Sequence, residues 1–176
     1  RRSKFPERAV WLKLTDEPWP RLSIVRKVAD DAATYVGPFP GRRGADLAQA
    51  AMHDLYPIRQ CTSRLAIRPK QTACALAEMG HCTSPCDGSA TPEAYGSLVA
   101  EIRAGLTGDP VALVEHGEAR MNTLADDERF EDAAAWRDRT GALVRGIHRA
   151  QRLRSITEIP ELVAAAPHDD GWEIHV

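Results

Sequence analysis

Cysteine is missing from all 149 positions outside residues 60–86, and all four cysteines of the 176-residue chain fall within that window. The chain also lacks an export signal and opens on Arg1-Arg2-Ser3-Lys4. A reducing compartment is therefore expected, which disfavours a disulfide framework. No apolar run is long enough to span a bilayer, which excludes a helical membrane anchor and sets the expectation of a soluble, cytoplasmic protein. Aromatic residues make up only 6% of the chain, and no recognition-helix signature accompanies the basic residues, so base-specific nucleic-acid readout is not expected. There is no internal repeat and no low-complexity segment. No nucleophile, base and metal constellation is visible either. Asp126, Asp127 and Glu128 read as a solvated turn, so no catalytic residue is expected. The want of an initiating Met and the strand-like ending GWEIHV suggest a piece cut from a longer protein.

What is present is unevenly spread. Residues 1–70 hold fourteen Lys and Arg against seven Asp and Glu, whereas residues 71–176 hold nine against eighteen. A basic half attracts phosphate by counterion release, and an acidic half suits a protein partner. The basic half reads as small α+β structure. AVWLKL alternates Val10, Leu12 and Leu14 on one face, RLSIVRKV does the same with Leu22, Ile24 and Val28, and TDEPWP between them supplies a turn, which together predict a β-hairpin. ATYVGPFPG predicts a third strand and a rigid turn. Residues 44–56 predict a helix with Leu47, Ala51 and Leu55 on its buried face, stopped by Pro57. In the acidic half, Thr91-Pro92 and Asp109-Pro110 each read as a helix start. The second of these helices and the one marked by Phe130, Ala133, Ala134, Leu143, Val144 and Ile147, running on to about Arg154, predict an antiparallel helical hairpin over about residues 115–152. Trp172, Ile174 and Val176 alternate as a strand after a loop.

The cysteines stand as Cys61, Cys74, Cys82 and Cys86, a C-x12-C-x7-C-x3-C spacing. Four of four so close together argues against unconnected buried thiols. Structural zinc remains open, although it usually takes paired knuckles and only Cys82 and Cys86 approach that form. An iron–sulfur cluster fits better, because the inorganic core rather than a tight knuckle sets the separation of its ligands. Pro85 stiffens the approach to Cys86, and the Gly80-His81 turn could aim backbone N–H groups at the sulfurs. His81 is at best an outer neighbour of the metal. Either metal would order a loop with few apolar residues of its own.

AVWLKLTDEPWPRLSIVRKV, YVGPFPG, LYPIRQC, GHCTSPC and ARMNTLADDERFEDAAAWRDR, in that order, resemble the central region of the UvrC family, the nuclease subunit of bacterial nucleotide excision repair. The resemblance covers nearly the whole chain, and the order of five motifs makes it specific. It implies a region that follows a GIY-YIG nuclease domain, binds a [4Fe–4S] cluster through Cys61, Cys74, Cys82 and Cys86, and carries a UVR hairpin that pairs with a UvrB-like protein. By position, Phe130, Glu131, Ala133, Ala134, Arg137 and Asp138 match the hairpin's recurring core. Phe130, Ala133, Ala134 and Arg137 share one helical face, with two small residues to admit a partner and one aromatic to anchor it. The same face would serve equally as an intramolecular seam. Arg1-Arg2-Ser3-Lys4-Phe5-Pro6 departs from the family pattern, and Thr140 stands where an apolar residue is usual. These departures suggest a divergent relative and bring in a resemblance to UvrC-like proteins fused to a DEDD exonuclease.

Arg21, Lys27, Arg42, Arg43, Arg64, Arg68 and Lys70 are the candidate DNA contacts, expected to meet phosphates without reading sequence. Arg145, Arg149 and Arg152 recur along the last helix, where the helix dipole offers a simpler account. The expected organisation is an α+β chain in four parts. Residues 1–57 form a small basic segment, 58–90 a metal-binding four-cysteine loop and 91–154 a helical arm with the UVR-type hairpin. Residues 155–176 form a linker and the first strand of a following RNase H-like domain. The expected function is to bind DNA and a UvrB-like partner and so position flanking nucleases. A DNA-docking accessory to an exonuclease, or a zinc-stabilised protein-interaction scaffold, are the alternatives.

Overall fold

The computed structural model of the chain describes residues 8–161, 163–169 and 171–175. The divergent stretch at residues 1–6, and Val176, lie outside them. β1 (Val10–Leu14), β2 (Leu22–Val25) and β3 (Thr34–Phe39) form an antiparallel sheet in the order β2-β1-β3. The period-2 pattern of β1 holds: Val10, Leu12 and Leu14 are buried while Trp11 and Lys13 are only partly so. Leu14 pairs with Leu22 and Leu12 with Ile24, which sets the hairpin register. β2 stops at Val25, so Val28 is not on the strand face expected for it and is 54% exposed. Between β1 and β3 the register shifts, Val10 facing Phe39 and Leu12 facing Val36. The extra β3 residue is accommodated at Gly37, whose φ of 138° suits glycine alone and whose Cβ would stand 3.1 Å from the Trp11 ring.

α1 (Arg42–Leu55) ends before Pro57 as expected, but its buried face is Ala45, Ala48, Ala51 and Met52, with Leu47 and Leu55 only half-buried. The reason is proximity: α1 lies between the sheet and α5, and alanines let the backbones approach. α3 (Pro92–Thr107) is capped by the Thr91 hydroxyl, which accepts from the Ala94 N–H at 3.2 Å. α4 (Val111–Asp126) and α5 (Phe130–Thr157) form the antiparallel hairpin, a turn longer at each end than expected. A short α2 (Ala75–Glu78) lies within the cysteine segment. One core runs through the sheet, α1, α3 and α5 and includes Ile58 and Leu65.

Two glycines let α5 dock. A Cβ on Gly146 would meet the Phe39 ring, Cε1 lying at 2.7 Å, and Phe39 is itself buried. Gly146→Ala would gain up to about 1 kcal/mol in helix propensity but would overpack a ring with nowhere to go, at about 1–3 kcal/mol. A net loss of stability in chemical denaturation is the expected result. Gly117 on α4 likewise receives Thr140, whose hydroxyl would lie 2.7 Å from an added Cβ. The unusual Thr140 thus sits where α4 is thinnest.

At the end of the chain the structure differs from a lone strand. β4 (Ala164–His168) pairs antiparallel with β5 (Gly171–His175), and β5 is exposed throughout. Alanine and proline hide β4 in the sequence, since both are depleted in strands.

Candidate metal centre and interaction surfaces

The cysteine segment starts where Pro57 ends α1 and is fixed there from below. Ile58 and Leu65 enter the core, and between them the Arg59 side chain is fully buried. Its Nε donates to the Trp19 carbonyl at 2.7 Å, and its Nη1 donates to the carbonyls of Cys61 (3.0 Å) and Ser63 (2.9 Å) and lies 3.4 Å from the Cys61 sulfur. Nη2 stands 3.0 Å from the Glu17 carboxylate. The Tyr95 hydroxyl donates to the Pro20 carbonyl and accepts from the Arg59 N–H. Burial pushes that phenol far above its ordinary range. Trp19 packs edge-on to Tyr95 at 5.3 Å between centroids and donates its indole N–H to the Ala66 carbonyl. The turn between β1 and β2 is therefore the clamp that shapes residues 59–66.

The far side of the segment closes on itself. The Gln71 N–H donates to the Cys86 carbonyl at 2.8 Å, and the Thr83 N–H to the Pro57 carbonyl at 2.9 Å. Cys61 and Cys74 are exposed, while Cys82 and Cys86 are half-buried. Ser84, buried and held at φ 53°, points its N–H at the Cys82 sulfur (3.4 Å) and its hydroxyl at the Cys86 sulfur (3.7 Å). The N–H groups expected to face sulfur are those of the Gly80-His81 turn. They are engaged instead with the carbonyls of Ala77 and Leu76, closing the turn after α2, and Ser84 takes the role. Burial raises the Cys82 thiol, the Ser84 N–H works against that, and the charges of Cys74, Cys61 and Cys86 add to the rise.

The expected metal-binding loop does not stand as a formed metal site: its four cysteines carry free thiols. Among the described residues, no group of three or more His, Cys, Asp or Glu side chains is close enough to hold a metal ion. A zinc ion would need four sulfurs within about 2.3 Å of one point. Four thiols are the donor set of a thiolate-bound centre, and the Arg59 Nη1 and the Ser84 N–H lie 3.4 Å from the sulfurs of Cys61 and Cys82.

On the helical hairpin, Phe130 opens α5 and is 66% exposed. Glu131, Arg137 and Asp138 are exposed, and Ala133 and Ala134 half-buried. Arg137 bonds its neighbour Asp138 at 2.9 Å. The buried intramolecular seam runs on Leu113, Gly117 and Leu124 of α4 and on Thr140, Leu143 and Ile147 of α5, and the half-buried Ala133, seven residues before Thr140, continues that face while Phe130 stands to its side. Arg139 pairs with Asp54 in the last turn of α1, and residues 130–138 precede this tie in α5.

The candidate DNA residues divide. Arg21 is half-buried, its Nε 3.5 Å from Glu17. Arg64, Arg68 and Lys70 are exposed in the cysteine segment, and Lys27 beyond β2. Arg42 and Arg43 occupy the first turn of α1, and Arg42 lies in a cleft with Arg8 and Arg26. Arg59, Glu17, Trp19, Tyr95 and Ser84 are not among the residues that sequence patterns single out. The one signal for them is an arginine set among apolar residues in YPIRQC.

The UvrC/Cho excinuclease middle-domain family matches residues 9–105, and the UvrB/UvrC motif matches residues 113–144. The UvrABC system protein C of Thermus thermophilus is 38% identical over 76% of the chain and 22% of its own length. That of Clostridioides difficile is 31% identical over 86% and 25%. A Mycobacterium tuberculosis protein named as a bifunctional exonuclease/endonuclease is 34% identical over the whole chain and 27% of its own length. The chain thus spans about a quarter of these relatives. No solved structure matches it.

Proposed function

Since this chain belongs to the UvrC/Cho excinuclease middle-domain family and carries the UVR motif, we propose that it is the docking region of a DNA-repair nuclease. It would bind a UvrB-like protein through the tip of the α4–α5 hairpin and DNA through its basic half, placing nuclease domains elsewhere in the parent protein on a damaged strand. Cys61, Cys74, Cys82 and Cys86 would hold a [4Fe–4S] cluster, which when bound supplies structural cross-linking of the loop and a redox-active centre. The chain's own part is to preset those ligands. Arg59 fixes the Cys61 backbone, Ser84 faces the sulfurs of Cys82 and Cys86, and the Gln71 bond closes the loop.

The observation that carries the partner half is Phe130, left 66% exposed beside the turn of the hairpin. An aromatic left out in solvent beside two alanines is the form of an interface anchor. Phe130→Ala should weaken binding to a UvrB-like protein by about 2 kcal/mol or more, some thirtyfold, without altering the fold. Titration calorimetry reads this directly, and equal affinity of both forms would reject the reading.

A second reading has its own support. The relative named as a bifunctional exonuclease/endonuclease matches over the whole chain. In that case the same surfaces would dock an exonuclease on DNA. The upstream coding sequence decides between the two, Asp/Glu exonuclease motifs favouring the second and Gly-Ile-Tyr and Tyr-Ile-Gly strands the first.

A further inference from the structure

Two basic clefts flank the turn Pro38-Phe39-Pro40-Gly41 between β3 and α1. Arg8, Arg26 and Arg42 wall the first, beside Pro40 and Gly41. Arg145, His148, Arg149 and Arg152 of α5 wall the second. Among the described residues, none that lines either cleft is acidic. The turn joins them: Arg149 donates to the Pro38 carbonyl at 2.7 Å, Phe39 rests on Gly146, and the next residues run into the first cleft. We propose that this continuous surface, rather than the cysteine segment, carries the phosphate backbone of duplex DNA. The inference rests on the DNA half of the proposed function and assigns it a place.

Helix-dipole stabilisation does not account for the α5 cations. α5 runs to Thr157, so Arg145, Arg149 and Arg152 all precede its last turn, outside which the dipole effect falls away. At the start of α1 the electrostatics are unfavourable. Arg42 and Arg43 occupy its first turn with no acidic residue and no side-chain cap, which places cations at the positive end of the helix. Asp46 pairs with Arg42, but both are exposed, and such pairs contribute little. An anion passing over the turn relieves that conflict and gives the α5 cations a counter-charge. The extent of the surface selects a polymer over a single phosphate. From residue 145 to residue 152 α5 rises about 10 Å at 1.5 Å per residue. Along the duplex axis each strand carries one phosphate per 3.4 Å, so that length of axis holds about three phosphates of one strand, and the first cleft extends the track beyond the turn. Guanidinium groups distributed in this way meet successive phosphates and read no bases.

The test uses the whole 176-residue chain and a short fluorescent DNA duplex, titrated over a range of salt. Arg26, Arg145 and Arg152 are exposed, so an Arg26→Ala/Arg145→Ala/Arg152→Ala variant keeps its fold, which a thermal melt verifies. This variant should bind at least tenfold more weakly, and the slope of log affinity against log salt should flatten by about 0.9 for each phosphate that is no longer neutralised. An Arg64→Ala/Arg68→Ala/Lys70→Ala variant should retain the wild-type affinity and slope. The opposite pattern, weaker binding by the second variant and unchanged binding by the first, overturns the inference while leaving DNA binding intact. A wild-type chain with no salt-dependent binding overturns the DNA half of the proposed function as well. Competition with an RNA duplex of the same sequence checks the occupant, and tighter binding of RNA than DNA refutes the assignment to DNA.

Discussion

Arg59→Leu should cost about 3–5 kcal/mol of folding stability, the range for removing one partner of a buried ion pair. The guanidinium is fully buried and serves four groups at once: the carbonyls of Trp19, Cys61 and Ser63 and the carboxylate of Glu17. Leucine leaves those carbonyls without a donor in a site water does not readily reach, and unmade buried hydrogen bonds cost far more than made ones contribute. Arg59→Lys should recover only part of the loss, because a single ammonium cannot reproduce a fork that reaches Trp19 in one direction and Ser63 in another. Urea denaturation at fixed pH measures both variants. A loss below about 1 kcal/mol for Arg59→Leu would show that the clamp is incidental.

Cys82→Ser should abolish cluster binding and loosen the segment around it, while the core of Leu12, Val36, Ile102 and Leu143 holds. Cys82 is half-buried, and the N–H of the buried Ser84 points at its sulfur. Serine supplies a far poorer ligand to a soft metal centre. In small zinc domains metal ligation contributes on the order of 10 kcal/mol to folding, so its loss should dominate the local stability of any segment built around it. The effect should stay local, since Ile58 and Leu65 are the residues of the segment that are buried within the core. Hydrogen exchange on anaerobic protein reads this: amides of residues 71–86 should exchange much faster in the variant, and those of β1 and α5 at the wild-type rate. Full iron content with unchanged exchange would remove Cys82 from the ligand set.

How far the fold can be read from the sequence depends on whether the signal is local. The β1–β2 hairpin, the Thr91 cap and the α4–α5 hairpin each rest on patterns within a few residues, and the structure holds all three. The buried face of α1 is shifted by one helical position from the expected one, because hydrophobicity points to Leu47 and Leu55. Close packing against α5 selects alanine instead, a requirement imposed by a helix some ninety residues away. Arg59 is hidden in the sequence for a related reason. Its partners lie at Glu17 and Trp19 and in the cysteine segment, and no spacing rule links them. β4 is hidden because Ala164, Ala165, Ala166 and Pro167 pair with β5 against their own propensities. The resemblance to the UvrC family is legible from motif order alone, and the family match confirms it. Side-chain clusters built across the fold, including the surface around the β3–α1 turn, become visible only in three dimensions.

Iron and acid-labile sulfide content of the chain purified without oxygen tests the cysteine centre most directly. A [4Fe–4S] cluster on Cys61, Cys74, Cys82 and Cys86 predicts coloured protein with iron and sulfide in equal amounts, close to four of each per chain. Protein prepared in this way without iron or sulfide, together with a four-cysteine-to-serine variant that melts at the wild-type temperature, would contradict it.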